Sequence, residues 1–251
     1  MLPEERRIKI LNSLKANHFL TTNELSQQLF SSPATIRRDL KILTENGQIS
    51  RTRGGAMYLG EQRSELPFLY RERDHSSEKE YIAELALAHL KEGQSIFLDS
   101  SSTVFKLAKK LQQFSKLKIL TNGNLTSYIL GVQTNNDIYS VGGHIRNKES
   151  SITGVTACDQ IRSFYADLAI VSCRGINQAG GCDATEEESQ VKRAFFKQAK
   201  KIILLADHSK MQQDFFYLSV PFERINLIIT DKPLPQALNK IVADYQIEVV
   251  Y

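Results

Sequence analysis

The run Ser32-Pro33-Ala34-Thr35-Ile36-Arg37-Arg38-Asp39-Leu40 decides how the first part of this chain folds. Its first two residues open a helix, because serine is a preferred N-cap and proline fits the first helical position, where its missing N–H is not needed. Apolar residues then recur at helical spacing on one face: Ile36, Leu40 and Leu43. The other face carries hydroxyl and basic groups: Thr35, Arg37, Arg38 and Lys41. We expect this helix to end at Gly47 in a left-handed C-cap.

Two further helices are predicted before this run. The first is indicated by an apolar stripe with one member off register: Ile8, Leu11, Leu14 and Ile10. The second opens on the capping box Thr21-Thr22-Asn23-Glu24, in which the first and last side chains accept from each other's backbone amides. Leu25 and Leu29 then form its buried face.

A hairpin is predicted directly after the third helix. Two short stretches, residues 49–51 and 56–58, flank a turn at Gly54-Gly55. Three helices followed by a hairpin are typical of a winged helix-turn-helix domain, so we expect double-stranded DNA as the partner.

The chemistry of the third helix and the hairpin fits that partner. Guanidinium groups bridge phosphates or read guanine edges, and a helix N-terminus offers free amides to phosphate. The candidate DNA-binding residues are Ser32, Thr35, Arg37, Arg38, Lys41, Arg51, Arg53, Gly54 and Gly55. The alternative is a solvated helix face on which Asp39 is a local partner of Arg37 and Arg38.

The charge of the chain is unevenly distributed. Residues 1–56 hold nine basic and five acidic side chains, whereas the remaining 195 residues hold 23 of each. The whole excess of +4 therefore lies in the first fifth of the chain, which favours a small module that faces a polyanion.

Strands and helices alternate in the rest of the chain. Buried strands are predicted near residues 95–98, 118–121, 138–141, 168–171, 202–205, 227–230 and 247–250, with helices near 186–199 and 235–243 among them. This order favours a parallel α/β sheet. We therefore expect a DNA-binding domain at 1–57, a linker at 58–75 and an α/β domain at 76–251.

The chain resembles the DeoR family of bacterial transcriptional regulators along nearly its whole length. The resemblance rests on the Thr-Ile-Arg-Arg-Asp-Leu core at 35–40 and on Gly54-Gly55-Ala56. It continues at residues 97–103, 121–122, 142–143, 154, 192, 207–210 and 229–231. It implies that the second domain is a sugar-phosphate sensor with a fold similar to ribose-5-phosphate isomerase.

The residues themselves also indicate an anion site. A strand followed by a hydroxyl-rich turn and a helix directs amides and hydroxyls to one point, and ligands of open α/β sheets bind beyond the carboxyl ends of strands. The candidate effector-binding residues are Asp99, Ser100, Ser101, Ser102, Thr103, Thr121, Asn122, Gly142, Gly143, Gly154, Asp183, Lys192, Asp207, Ser209 and Lys210. Ser101 stands where the family usually has glycine.

Each of these features also has a purely structural interpretation. A hydroxyl-rich loop is often a capped turn, and Gly142-Gly143 is also explained as a tight turn. Lys192 lies four or five residues after Glu187 and Glu188, a spacing that suits a solvated helix face.

The leading hypothesis is a repressor of a carbohydrate operon, a homo-oligomer whose DNA affinity changes when a phosphorylated sugar binds. A second hypothesis is a sugar-phosphate isomerase with Asp99, Asp183 or Glu187 as base. A third is a non-specific nucleic-acid or scaffold protein. Three scattered cysteines and the lack of HxxxH spacing give no signal for a disulfide framework or a metal site, and we expect no cofactor. Lacking an apolar leader or a long apolar run, the chain is expected to stay in the cytoplasm.

Overall fold

The computed structural model describes residues 1–17, 19–45, 49–52, 54–58, 68–146 and 149–251. The chain divides into two units, Met1–Asp74 and His75–Tyr251. The expected C-cap Gly47, residues 59–67 of the expected linker and Arg53 of the hairpin lie outside the described residues. Within the span expected to be a linker, residues 68–73 form a short helix.

The N-terminal unit consists of short helices and a small antiparallel sheet. Its elements are α1 (Pro3–Asn17), β1 (Phe19–Thr21), α2 (Thr22–Gln28), α3 (Pro33–Glu45), β2 (Ile49–Thr52), β3 (Gly55–Tyr58) and α4 (Phe68–Arg73). The strands pair in the order β1-β3-β2, so the predicted hairpin gains a third strand from the residues before α2. This third strand was not predicted, because it is only three residues long.

The predicted caps of the helices are present. The Thr21 hydroxyl accepts from the Glu24 amide at 3.1 Å, and the Glu24 carboxylate accepts from the Thr21 amide at 2.7 Å. The Ser32 hydroxyl accepts from the Thr35 amide at 3.2 Å and caps α3. These side chains satisfy amides that the first turn of a helix leaves without backbone partners.

One apolar cluster forms the core of this unit. It contains Ile10, Leu14, Leu20, Leu25, Leu29, Ile36, Leu40, Leu43, Ile49 and Ala56. The stripe predicted for α1 was partly wrong, because Ile8 is 59% exposed while Ile10 is fully buried. Residues six positions apart, such as Ile8 and Leu14, differ by about 240° around a helix, whereas Ile10 and Leu14 lie one turn apart.

The C-terminal unit is built on a seven-stranded parallel sheet of order β15-β14-β12-β9-β4-β5-β6. Its helices are α5 (Ser76–Leu87), α6 (Ser102–Ala108), α7 (Asn124–Gln133), α8 (Val155–Ile161), α9 (Glu186–Gln198) and α10 (Gln236–Asp244). The seven strands are β4 (Ser95–Leu98), β5 (Lys118–Thr121), β6 (Asp137–Ser140), β9 (Ala166–Val171), β12 (Ala199–Leu205), β14 (Leu227–Ile229) and β15 (Glu248–Val250). The predicted parallel α/β sheet is therefore confirmed.

Smaller antiparallel pieces accompany the main sheet. They are the pair β7 (His144–Ile145) and β8 (Ile152–Thr153), and a sheet of β10 (Gly175–Asn177), β11 (Gly180–Asp183) and β13 (Tyr217–Pro221). Two apolar clusters cover the two faces of the main sheet, so alternate residues of one strand separate: Phe97 joins one cluster, and Ile96 and Leu98 join the other. All seven strands point the same way, which gathers their carboxyl ends along one edge of the unit.

We predict that Leu40→Ala destabilises the N-terminal unit by about 2–5 kcal/mol, because it leaves a cavity at a fully buried position of α3. Calorimetry of the full chain should show a lower unfolding temperature for this unit and an unchanged one for the C-terminal unit. Lys41→Ala is the control, since that side chain is 70% exposed on the same helix. Equal effects of the two substitutions would contradict the assignment of the buried face.

Candidate DNA-binding surface and effector site

The polar face of α3 is free for a partner. Ser32, Arg37, Arg38 and Lys41 are exposed, and Thr35 is half-buried. Within the part of the chain that the structure describes, no ion pair holds Arg37 or Arg38. The helix thus presents two uncommitted guanidinium groups close to its N-terminus, where backbone amides favour anions.

The structure corrects the alternative role of Asp39. This residue points inward, is 2% exposed, and its carboxylate lies 2.5 Å from Nε of Arg6 and 3.8 Å from Nη1 of Arg7. Both arginines belong to α1, so the carboxylate joins α1 to α3 rather than neutralising the basic face. The partner is 33 positions away in the chain, beyond the reach of a local pattern.

The hairpin residues differ in their exposure. Arg51 on β2 is exposed, and Gly54 occupies the turn at a φ of +97°, a conformation that favours glycine. Gly55 is buried, and a Cβ there would collide with the backbone oxygen of Leu20 and the ring of Phe19. Close packing against β1 therefore accounts for the second glycine without any DNA contact.

One exposed aromatic residue beside α3 was not predicted. Phe30 lies in the turn between α2 and α3, is 96% exposed and has a φ of +48°. No sequence pattern singles it out, because a single aromatic residue in a loop is usually buried.

A buried ion cluster lies beyond the carboxyl end of β4. The ammonium of Lys192 on α9 is 2.5 Å from Asp183 Oδ2 at the end of β11 and 3.7 Å from Asp99 Oδ2 just after β4. All three residues are at most 4% exposed. Asp99 also accepts from the amides of Ser101 and Ser172, both at 3.0 Å. The alternative interpretation of Lys192, a solvated helix face, is wrong because the residue is buried; the Glu188 carboxylate lies 3.2 Å from Arg146.

The electrostatics of this cluster keep Lys192 charged. Burial alone lowers its pKa, but the Asp183 and Asp99 carboxylates more than offset this, so the pKa of Lys192 is raised above its usual value. The Ser219 hydroxyl on β13 donates to Asp183 Oδ2 at 2.5 Å and gives that carboxylate a second hydrogen-bond donor besides Lys192. Lys192 is thus committed to two carboxylates.

Lys210 occupies a more accessible position at the same edge. Its ammonium donates to the Ser172 hydroxyl at 2.8 Å and to the Thr103 hydroxyl at 3.3 Å, and lies 3.9 Å from Asp207 Oδ2. Burial raises the pKa of Asp207, but the charge of Lys210 and a hydrogen bond from Ser209 help to outweigh it, so that the pKa is lowered overall. Asp207 is therefore ionised, yet its Oδ2 is buried without a hydrogen bond.

The hydroxyl-rich loop after β4 has ordinary geometry. Ser101 has a φ of −71° and caps α6, its hydroxyl accepting from the Val104 amide at 3.3 Å. Its Cβ therefore causes no backbone strain where the family usually has glycine. Ser100 and Ser102 are buried beside it, and the Asn122 side chain donates to the Ser100 hydroxyl at 3.4 Å. Thr121 uses its hydroxyl to accept from the Gly123 amide.

The glycine candidates do not join these contacts. Gly142 follows β6, two strands away from β4, and its amide donates to Gln160 at 2.7 Å. Gly143 packs against the Thr153 backbone, and Gly154 precedes α8 at a φ of +96°. Turn geometry and packing are sufficient to account for these three residues.

Two residues of the site were missed from the sequence, Ser172 and Ser219. Both are fully buried. Ser172 follows β9 and contacts Lys210, and Ser219 lies in β13 and contacts Asp183. These contacts join residues that are far apart in the sequence. Further hydroxyl and amide oxygens nearby in the fold are buried without a hydrogen-bond partner: Asn122 Oδ1, Ser151 Oγ and Thr153 Oγ1. Such atoms are unusual and suit a polar ligand.

His208 does not form a catalytic triad with its neighbours. Its Nδ1 is 2.6 Å from Asp231, whereas the Ser209 hydroxyl donates to Asp207. Within the described residues, no cluster of His, Cys, Asp and Glu could hold a metal ion. The three cysteines are free and buried, and burial raises the pKa of Cys173 to about 12. No helix among the described residues is long and apolar enough to cross a membrane.

Comparison with known proteins gives matches along nearly the whole chain. The DeoR-like helix-turn-helix domain matches residues 6–62 and the DeoR C terminal sensor domain matches residues 74–232. The HTH-type transcriptional regulator GolR of Listeria innocua is 35% identical over 97% of this chain and 96% of its own. The glycerol-3-phosphate regulon repressor of Escherichia coli is 29% identical over 99% of each chain. Ribose 5-phosphate isomerase A of Methanocaldococcus jannaschii matches 55% of each chain, with 16% identity and a TM-score of 0.37.

The basic helix, the wing and the attached sensor unit are those of a DNA-binding transcriptional regulator. The chain belongs to the DeoR family, as the predicted resemblance indicated. Relatives that match it from end to end are named as regulators and repressors, so the isomerase hypothesis is not favoured.

We predict that Lys192→Met destabilises the sensor unit by about 3–5 kcal/mol at pH 7, because it leaves two buried carboxylates without their cation. Since the pKa of Lys192 is raised, its contribution is complete at neutral pH and declines only above the ordinary lysine pKa of about 10.4. Urea unfolding should therefore show a smaller difference in stability between Lys192→Met and wild type at a pH above the ordinary lysine pKa than at pH 7.

The control for this substitution is Lys201→Met on β12, where the side chain is exposed. It should change stability by less than about 0.5 kcal/mol. A Lys192→Met protein as stable as this control at pH 7 would show that the buried cluster does not support the fold.

Proposed function

We propose that the protein represses a carbohydrate operon by binding operator DNA through α3 and the wing. The observation that supports α3 is the inward position of Asp39, which pairs with Arg6 and leaves Arg37 and Arg38 uncommitted. Guanidinium groups on an exposed helix face can bridge phosphates or read guanine bases. We propose that the protein acts in the cytoplasm, where the DNA is.

We further propose that a phosphorylated sugar binds at the carboxyl ends of β4, β5, β9 and β12. Lys210 is the candidate phosphate ligand, because its side chain is more exposed than that of Lys192 and its ammonium is already positioned by two hydroxyls. Lys192 is buried and paired with two carboxylates, so its role in the site is structural and it does not contact the ligand. The buried oxygens of Asn122 and Asp207 without partners suit hydroxyl groups of the sugar.

The coupling between the two ligands follows from linkage. A sugar phosphate changes DNA affinity only by the difference between its affinities for the DNA-bound and free arrangements of the protein. A winged helix-turn-helix protein gains affinity by pairing two modules on two half-sites, so we propose that it acts as a homo-oligomer.

Arg37→Ala and Arg38→Ala are expected to weaken operator binding by about ten- to a hundredfold without changing the fold, because each removes a cation that contacts DNA. Fluorescence anisotropy on DNA from upstream of the gene, at fixed salt and with excess competitor DNA, measures the change. Lys240→Ala, an exposed cation of the sensor unit, is the matched control. Wild-type binding by both arginine variants would overturn the assignment of α3.

The effector is tested on the same DNA with glycerol 3-phosphate, pentose phosphates, hexose phosphates and the unphosphorylated sugars. We expect one phosphorylated compound to shift DNA affinity by about tenfold, within the usual range of allosteric coupling. Lys210→Met should abolish that shift while leaving DNA affinity within about twofold of wild type; Lys240→Met should retain it. A full response in Lys210→Met would place the phosphate elsewhere.

A further inference from the structure

Among the described residues, one face of helix α7 is buried and the opposite face is exposed. It lies over β5 and β6 at one end of the main sheet, with Thr126 and Leu130 buried. The opposite face is exposed and holds residues at helical spacing: Asn124, Tyr128, Gly131 and Val132. A surface helix of a monomeric unit usually carries polar or charged residues on that side.

Two large side chains dominate the exposed face. Tyr128 is 67% exposed and Val132 is 66% exposed, and they lie one turn apart. Positions i and i+4 of a helix are neighbours on its surface, so the two side chains form one continuous apolar patch. Aromatic side chains and depletion of charge are typical of the centre of protein interfaces.

The patch carries no charge. The 18 residues from 119 to 136 contain no Asp, Glu, Lys or Arg, in a chain that is 24% charged. Across a two-fold axis a surface meets its own copy, so any charge near the axis faces a like charge. An uncharged face avoids this repulsion.

Gly131 supplies an independent observation. It lies inside α7, where glycine destabilises a helix relative to alanine, and a Cβ added there would meet nothing within 4 Å. Nothing within the described chain therefore requires a glycine at this position. The close approach of another backbone would require it, and the residue is exposed one turn after Tyr128 and next to Val132.

We propose that the exposed face of α7 is the surface through which two copies of this chain associate, helix against helix, with Gly131 at the close contact. This inference goes beyond the proposed function and agrees with it, since an operator with two half-sites needs two DNA-binding units. It rests on the composition and exposure of α7 and involves neither DNA nor effector.

The test is the mass of the full-length protein in solution, measured by sedimentation across a micromolar concentration range without DNA. Wild type should associate, and Tyr128→Asp should weaken association by at least about tenfold, because it buries a charge against its own symmetry mate. Tyr81→Asp is the control: Tyr81 is exposed on α5, which packs over β12 and β14 at the other end of the sheet.

A second variant separates association from folding. Gly131→Gln should raise the thermal stability of the isolated subunit at high dilution, since glutamine is the better helix former and the space around Gly131 is open. The same substitution should weaken association, because its side chain occupies the helix–helix contact. A change in mass without loss of helical circular dichroism would support the proposal.

Two outcomes would overturn it. A wild-type chain that is monomeric throughout this range would mean that α7 binds a different partner. An oligomer whose mass is unchanged in both α7 variants would place the interface elsewhere. Because the DNA-binding measurements with the arginine variants are separate, failure of this interface leaves the proposed roles of α3 and of the effector site untouched. A monomeric wild type would in addition overturn the proposed homo-oligomer.

Discussion

The ammonium of Lys192, buried beside two carboxylates, is the interaction on which the sensor unit depends. Desolvating three charges is costly, and it is balanced only while Lys192, Asp99 and Asp183 remain together. These residues come from α9, from the end of β4 and from β11, so the pairing fixes the small antiparallel sheet against the main parallel sheet. Ser219 on β13 strengthens the same junction from a fourth chain segment. The edge where the strands end is therefore a preformed, rigid surface.

In the N-terminal unit, too, a buried ion pair fixes one element, the helix α3. The carboxylate of Asp39 is buried against Arg6, which fixes the rotation of α3 about its own axis. Fixing that rotation decides which side chains face outward, and Arg37 and Arg38 are the result. In each unit, then, a buried ion pair is structural, while a neighbouring cation has a more exposed side chain. For the sensor unit that cation is Lys210.

The reliability of the sequence-based predictions followed the distance between interacting residues. The caps and the buried stripe of α3 were correct because Ser32, Ile36 and Leu40 act within a few positions of one another. The alternative interpretation of Asp39 as a local partner of Arg37 and Arg38 was wrong, because its actual partner lies 33 residues away. The central parallel strands were predicted from their apolar runs. The sheet of β10, β11 and β13 was missed, because its strands are short and β11 begins with two glycines, which give no alternation. Hydroxyls such as that of Ser172 acquire a role only once the strands have assembled.

The burial of all three cysteines lowers the reactivity of their thiols in the folded protein. A thiol reacts with oxidants and alkylating reagents as the thiolate, and burial disfavours that form, most strongly at Cys173. The native chain should therefore tolerate peroxide and maleimide reagents while it stays folded. One cysteine introduced on the surface would then be its most reactive thiol and could carry a single fluorophore at a chosen position. Two such cysteines, one in each unit, would allow distances between the units to be followed as operator DNA and sugar phosphate bind, without removal of any native cysteine.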